Sequence, residues 1–139
     1  MKKIDEVKVA FYGTPEFSLS FLQDLVKSNV KVSYVVSQPP RKAGRGKKIK
    51  LSAVHEWSKI NNLKIYTPKK TSDPDFFKEI SNMKIDLNIV VAYGNILTKD
   101  VINLPNFLSI NVHASMLPRW RGAAPIQRAI MNLDTQTGV

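Results

Sequence analysis

An open, mostly parallel α/β sheet with helices on both faces is the architecture this sequence predicts, and three observations predict it. Short apolar runs alternate with helix-length amphipathic segments along the chain. Three of those runs end in turn residues, at Gly13-Thr14-Pro15, Tyr93-Gly94-Asn95 and His113-Ala114-Ser115. No internal repeat or low-complexity linker interrupts the alternation, so the 139 residues suit one compact unit with its own core. Strands that alternate with helices pair in parallel through right-handed crossovers, which cover the sheet on both sides.

VKVAFYG (7–13) is the first strand, stopped by Gly13. Thr14 is expected to cap the next helix, with Pro15 at its first position and Glu16 at the positive end of its dipole. Phe17, Phe21, Leu22 and Leu25 fall on one face of that helix. VKVSYVV (30–36) is the second strand, and a basic loop follows it. Leu51, Val54 and Trp57 mark a second helix, and LKIY (63–66) a short strand. In SDPDFFKEI, Ser72 or Asp73 caps a helix with Pro74 just inside, and Phe76, Phe77 and Ile80 face inward. DLNIVVAYG (86–94) is the most strand-like run. Thr98 caps a short helix that ends near Leu104, before Pro105. FLSINVH (107–113) is a fifth strand in a buried-looking setting, and a helix around 125–133 follows. The pattern is Rossmann-like, and in such sheets ligands bind beyond the carboxyl ends of the strands. The final DTQTGV resembles a turn and the first residue of a sixth strand, so the domain reads as truncated.

Composition narrows the function. A hydrophobic fraction of 43% and a charged fraction of 23% are ordinary for a soluble globular chain. The absence of cysteine excludes disulfides and cysteine-ligated metals and fits a reducing cytoplasm. MKKIDEV puts Asp5 and Glu6 where a signal peptide needs its apolar core. No apolar run approaches the roughly 18 residues that span a bilayer. The expectation is a cytoplasmic protein with no membrane partner. The formal net charge of +10 is local in origin, because RKAGRGKKIK (41–50) holds six Lys or Arg and no acid. Basic excess gathered in one loop points to a polyanion, nucleic acid first; the competing reading is a flexible, solvated loop.

The chemistry is in Asn111-Val112-His113. Alternation along a strand puts Asn111 and His113 on one side and Val112 on the other. A carboxamide N–H stabilises a developing oxyanion, and an imidazole takes or gives a proton near neutral pH. The pair suits attack on a carbonyl carbon, and without a placed Ser or Cys nucleophile direct transfer is favoured over a covalent intermediate. The alternative is that both side chains only hydrogen-bond the neighbouring loop. With His55 and His113 the only histidines, no zinc-ligand spacing exists and no metal is expected. Ser115-Met116-Leu117-Pro118 supplies an apolar wall for a flat heteroaromatic ligand. Arg119-Trp120-Arg121 offers phosphate donors and a stacking plane, unless Trp120 packs on the next helix. Gly122 and Pro125 fit a turn and a first helical position.

These residues carry a resemblance. NVHASMLPRWRGAAPIQRAI is similar to the signature of the methionyl-tRNA formyltransferases, and AFYGTPEFS (10–18), SQPPRKAGRGKK (37–48) and VVAYGNIL (90–97) match further segments of that family in order. The wider group of 10-formyltetrahydrofolate-dependent transferases shares Asn-x-His and Ser-Leu-Leu-Pro and includes enzymes acting on amino sugars and on glycinamide ribonucleotide. The resemblance implies transfer of the formyl group of 10-formyltetrahydrofolate to the α-amino group of methionine on initiator tRNA. It implies that Asn111 holds the formyl oxygen and that His113 relays protons. It assigns the folate to Ser115, Met116, Leu117 and Pro118 and to Val91, Ala92, Tyr93, Gly94, Asn95 and Ile96. Met116 stands where Leu is usual, a volume-conserving swap. The tRNA falls to Arg41, Lys42, Arg45, Lys47 and Lys48, with Arg45 in Gly44-Arg45-Gly46 as the key arginine, and to Arg119 and Arg121.

The resemblance also implies that residues 1–139 are the amino-terminal part of the catalytic domain. The family's catalytic aspartate lies beyond the Thr137-Gly138-Val139 landmark, which Asp134 precedes, and a carboxyl-terminal barrel domain follows in the family. The expectation is a chain weakly active or inactive alone, whose His113 lacks an orienting partner. A tRNA-binding remnant and a sugar-nucleotide formyltransferase are the competing readings; the basic loop argues against the second.

Overall fold

The computed structural model describes residues 3–43 and 48–139. Its main sheet contains β1 (Lys8–Gly13), β2 (Lys31–Val36), β5 (Ile65–Tyr66), β6 (Leu87–Val91) and β7 (Leu108–Val112). All four pairings are parallel, in the order β5-β2-β1-β6-β7. The chain leaves β1 to one side for β2 and β5, then crosses back to the other for β6 and β7. The reversal between β1 and β6 opens a crevice at their carboxyl ends.

Two apolar layers fix the faces. Phe11, Leu19, Leu22, Val35, Val54 and Val91 pack on the side of α1 (Glu16–Lys27) and α2 (Ala53–Ile60). Ala10, Tyr12, Tyr34, Val36, Ile80, Tyr93 and Val101 pack on the side of α3 (Pro74–Ser81) and α4 (Lys99–Ile102). Both faces of β1 are therefore buried, which explains its near-continuous apolar sequence. Buried Asp86 pins the amino ends: its carboxylate accepts from Lys8 N at 2.9 Å and from Asn106 Nδ2 at 3.0 Å. Buried Asn88 donates to Val101 O at 2.8 Å and Ser109 Oγ at 3.0 Å, fastening α4 and β7 to the sheet.

Asp73 and Thr98 cap α3 and α4 as expected, and Ser52 caps α2, a cap the sequence reading did not name. Elsewhere the structure corrects the expectation. Pro15, not Thr14, occupies the cap position of α1, because the Thr14 hydroxyl is drawn across the crevice to donate to Tyr93 O at 2.7 Å. Residues 41–50 are not wholly a loop: β3 (Arg41–Ala43) and β4 (Lys48–Lys50) form an antiparallel hairpin. β7 is a half-exposed edge, with Leu108 at 49% and Ile110 at 45% exposure. Residues 136–139 run without regular structure. The last helix, α5, spans Pro125–Met131.

Candidate active site

Three chain segments meet at the crevice. β6 stops at Val91 because Ala92 and Gly94 take left-handed φ of 45° and 84°, turning the chain out of the strand. β7 pairs Val90 with Asn111 and Val91 with Val112. Strand alternation then sends Val112 into the core with Val91 and brings Asn111 and His113 to the other face. The third segment is the loop 114–124 leading into α5. Between them lies a groove of ≈ 570 Å³ whose lining includes Asn111, Val112 and His113. Val90, Ala92, Tyr93, Gly94 and Asn95, residues Gly122–Gln127, and Pro15 and Phe17 also line it. A mostly apolar cleft of this size with few polar groups suits a small-molecule ring system.

His113 is held at both ring nitrogens. Nδ1 lies 2.8 Å from Ser115 Oγ, and Nε2 lies 3.2 Å from the carbonyl of Gly122. The Ser115 hydroxyl has one proton and donates it to the carbonyl of Arg119 at 2.7 Å. Ser115 Oγ is then placed to accept from Nδ1–H, and the Gly122 carbonyl can only accept from Nε2–H, so the two contacts are made together when both ring nitrogens carry hydrogen. An imidazole held by oxygen partners at both nitrogens, in the lining of the groove, is equipped to move protons. The expectation that His113 lacks an orienting partner is thereby corrected: Ser115 and the backbone of the same loop orient it.

A second polar knot holds the loop's shape. Asp134 accepts from Arg119 Nε at 2.8 Å and Nη2 at 2.6 Å, from Trp120 Nε1 at 2.6 Å and from Asn132 Nδ2 at 2.7 Å. Arg119, then Trp120 and Asn132, hold this carboxyl far below the usual carboxylate range. The Arg119 guanidinium also lies 4.4 Å over the Trp120 ring. Trp120 and Ala124 have φ of 56°, costing roughly 1 kcal/mol or more each for a residue with a Cβ. The clamp offsets that strain.

The remaining predicted residues divide. Ala92, Tyr93, Gly94 and Asn95 line the groove, whereas the Val91 side chain faces the opposite core. Met116 and Leu117 are exposed and line a separate hollow of ≈ 500 Å³ with Asn111, His113 and Ser115. Pro118 is exposed in the same loop and Ile96 is 90% exposed. Ser115 is buried with its hydroxyl engaged, so it acts through His113. Arg41, Lys42 and Lys48 are exposed on the hairpin, while Arg45 and Lys47 lie outside the described residues. Arg119 is committed to Asp134, and Arg121 is exposed. Among the described residues no group of three His, Cys, Asp or Glu is placed to hold a metal. No helix among them is long and apolar enough to cross a membrane. Sequence reasoning missed Gly122, Gln38 and the clamping role of Asp134.

Comparison with known proteins shows the family. A methionyl-tRNA formyltransferase from Prochlorococcus marinus (strain MIT 9312) is 48% identical over 134 residues, which cover 96% of this chain and 41% of that protein. One from Legionella pneumophila (strain Corby) is 47% identical over 131 residues, covering 94% and 42%. The chain thus spans about two-fifths of the length of the curated relatives it matches. In fold it is similar to glycinamide ribonucleotide transformylase 1 from Geobacillus kaustophilus, with a TM-score of 0.70 at 18% identity over 94% of this chain and 70% of that one. A sugar N-formyltransferase from Shewanella sp FDAARGOS_354 gives 0.58 at 17% identity, covering 92% and 47%. The formyl transferase family model matches residues 7–139. With a parallel sheet of the same design and a family match over nearly its whole length, the chain belongs to the formyl transferase family.

Proposed function

We propose that this chain carries the formyl-donor site and transfer residues of a methionyl-tRNA formyltransferase. The observation that carries the reading is that Asn111 and His113, the latter held at both ring nitrogens, line the same groove. Bound there, 10-formyltetrahydrofolate would supply an activated formyl carbon on N10. Ala92–Asn95 and the wall from Gly122 would hold its ring system. Asn111 Nδ2 donates to the formyl oxygen and stabilises the oxyanion as the methionyl amine attacks. The His113 imidazole takes the proton that the amine loses and returns it to N10, so one C–N bond is exchanged for another with no net proton change. Arg41, Lys42, Arg45, Lys47 and Lys48 grip the tRNA phosphates, and Arg121 lies nearer the site.

Relatives at 44–48% identity named methionyl-tRNA formyltransferase support the acceptor assignment. Residues 1–139 form the amino-terminal part of the catalytic domain on this reading, with low activity in isolation. The test is formyl transfer from 10-formyltetrahydrofolate to methionyl initiator tRNA, measured in a single turnover beside tRNA binding. Transfer or salt-sensitive binding of initiator tRNA supports the reading. Transfer to an amino-sugar nucleotide without any tRNA binding refutes it.

A further inference from the structure

Gln38 stands at a junction that neither the sequence motifs nor the transfer chemistry explains. Its backbone N donates to Thr14 Oγ1 at 3.3 Å, and Thr14 Oγ1 in turn donates to Tyr93 O at 2.7 Å. Its side chain reaches two ways. Arg41 Nη2, on the basic hairpin, donates to Gln38 Oε1 at 2.5 Å. Gln38 Nε2 donates to Asn95 Oδ1 at 3.5 Å, on the loop that walls the groove. The same amide packs against Gly94: a Cβ built there would sit 2.2 Å from Gln38 Nε2. One amide thus touches both the element assigned to the RNA and the loop assigned to the folate.

We infer that Gln38 is a positioning residue coupling the two substrate sites. This rests on the function proposed above. Arg41 has five N–H donors in a fixed fork and spends one on Gln38, leaving the others for a phosphate. A phosphate on Arg41 immobilises the guanidinium, which holds the Gln38 amide against Gly94 and Asn95. The groove wall is then ordered before the donor arrives, and RNA tightens donor binding by reducing the ordering cost. By linkage the donor tightens RNA binding by the same factor.

The test has two arms. Without ligands, Arg41→Ala should shift the backbone amide resonances of Gly94 and Asn95 in the parent chain and leave them unmoved when Gln38 is already Met. Equal shifts in both backgrounds would overturn the inference. In the second arm, the affinity for 5-formyltetrahydrofolate is measured with and without saturating initiator tRNA. A tightening of about five-fold is expected in the parent chain, a coupling of ordinary size. Gln38→Met should reduce the factor to near unity while each affinity measured alone changes less than about two-fold. A persisting coupling factor refutes the role of Gln38. Gln38→Ala, smaller and unable to clash, repeats both arms and must agree. Resonance coupling through Gln38 in a chain that binds neither ligand would refute the proposed function and leave the mechanical link standing.

Discussion

Replacing Ser115 with Ala tests the account of His113 most directly, because it removes one oxygen and nothing else. Ser115 is 1% exposed, and its hydroxyl joins His113 Nδ1 at 2.8 Å to the Arg119 carbonyl at 2.7 Å. Its loss leaves a ring N–H and a carbonyl without that partner in a place water does not readily reach. An unsatisfied buried polar group costs about 1–3 kcal/mol. With a urea m-value of about 2 kcal/mol/M for a domain of this size, the unfolding midpoint should fall by roughly 0.5–1.5 M at unchanged m. The Nδ1 contact is then lost, so the imidazole nitrogen resonances should move. Repeating the change in His113→Ala separates the shared term: the second loss should be smaller by about 0.5 kcal/mol or more. A midpoint shift below about 0.2 M with unmoved imidazole resonances would refute the orienting role.

Asn111→Ala should lower the single-turnover formyl-transfer rate about 10²–10³-fold, while donor affinity changes little, since the lost donor acts on charge that develops during transfer. Binding of initiator tRNA should weaken linearly in log–log salt titrations, and Lys42→Ala and Lys48→Ala should each reduce the slope by about 0.7–0.9. Burial first, and the charge of Lys59 second, pull His55 below its ordinary value. The folded state then binds fewer protons than the unfolded one, so stability is full above about pH 6.5 and declines as pH falls through that range. His55→Gln should flatten this decline in pH-dependent urea unfolding. Asp134→Ala should red-shift Trp120 emission, read in a Trp57→Phe background, because it deletes the 2.6 Å acceptor of the indole N–H.

What was legible in the sequence is what local physics determines. The strands buried on both faces are near-continuous apolar runs, and Asp73 and Thr98 sit one residue before the helices they cap. Period-two alternation puts Asn111 opposite Val112, and the sheet register agrees; β7 ends at Val112, and His113 lines the same groove as Asn111. The failures come from partners distant in sequence. Thr14 has the chemistry of a cap, but Tyr93, 79 residues away, takes its proton. Val91 was grouped with its neighbours through a contiguous motif, although alternation turns it away from them. The hairpin of β3 and β4 is hidden because its alternating lysines resemble a solvated loop. Gln38 and Asp134 carry no local signal, since their roles depend on residues 57 and 15 positions away.

The site's rigidity has an unusual source for a parallel α/β protein. Asn111 and His113 project from an edge strand whose apolar residues are about half exposed, and the loop beyond it leaves Met116 at 57% and Leu117 at 58% exposure. Apolar burial cannot hold that loop. Its shape depends on the chain from His113 through Ser115 to the Arg119 carbonyl, and from the Arg119 side chain to Asp134. These links run through one residue: Arg119 receives the serine proton on its backbone and gives its guanidinium to the carboxylate. Arg119 is thus better used as a strut than as a phosphate contact, because a phosphate would have to compete with a bidentate carboxylate for the same donors. The two uses make opposite demands. As a strut, Arg119→Lys should disturb the His113 ring because a lysine cannot reproduce the fork, yet leave the salt slope of RNA binding unchanged. As a phosphate contact, the same change should keep the charge, and His113 should not respond. The hydrogen-bond geometry favours the strut, and on the function proposed above phosphate recognition falls to Arg121 and the basic hairpin.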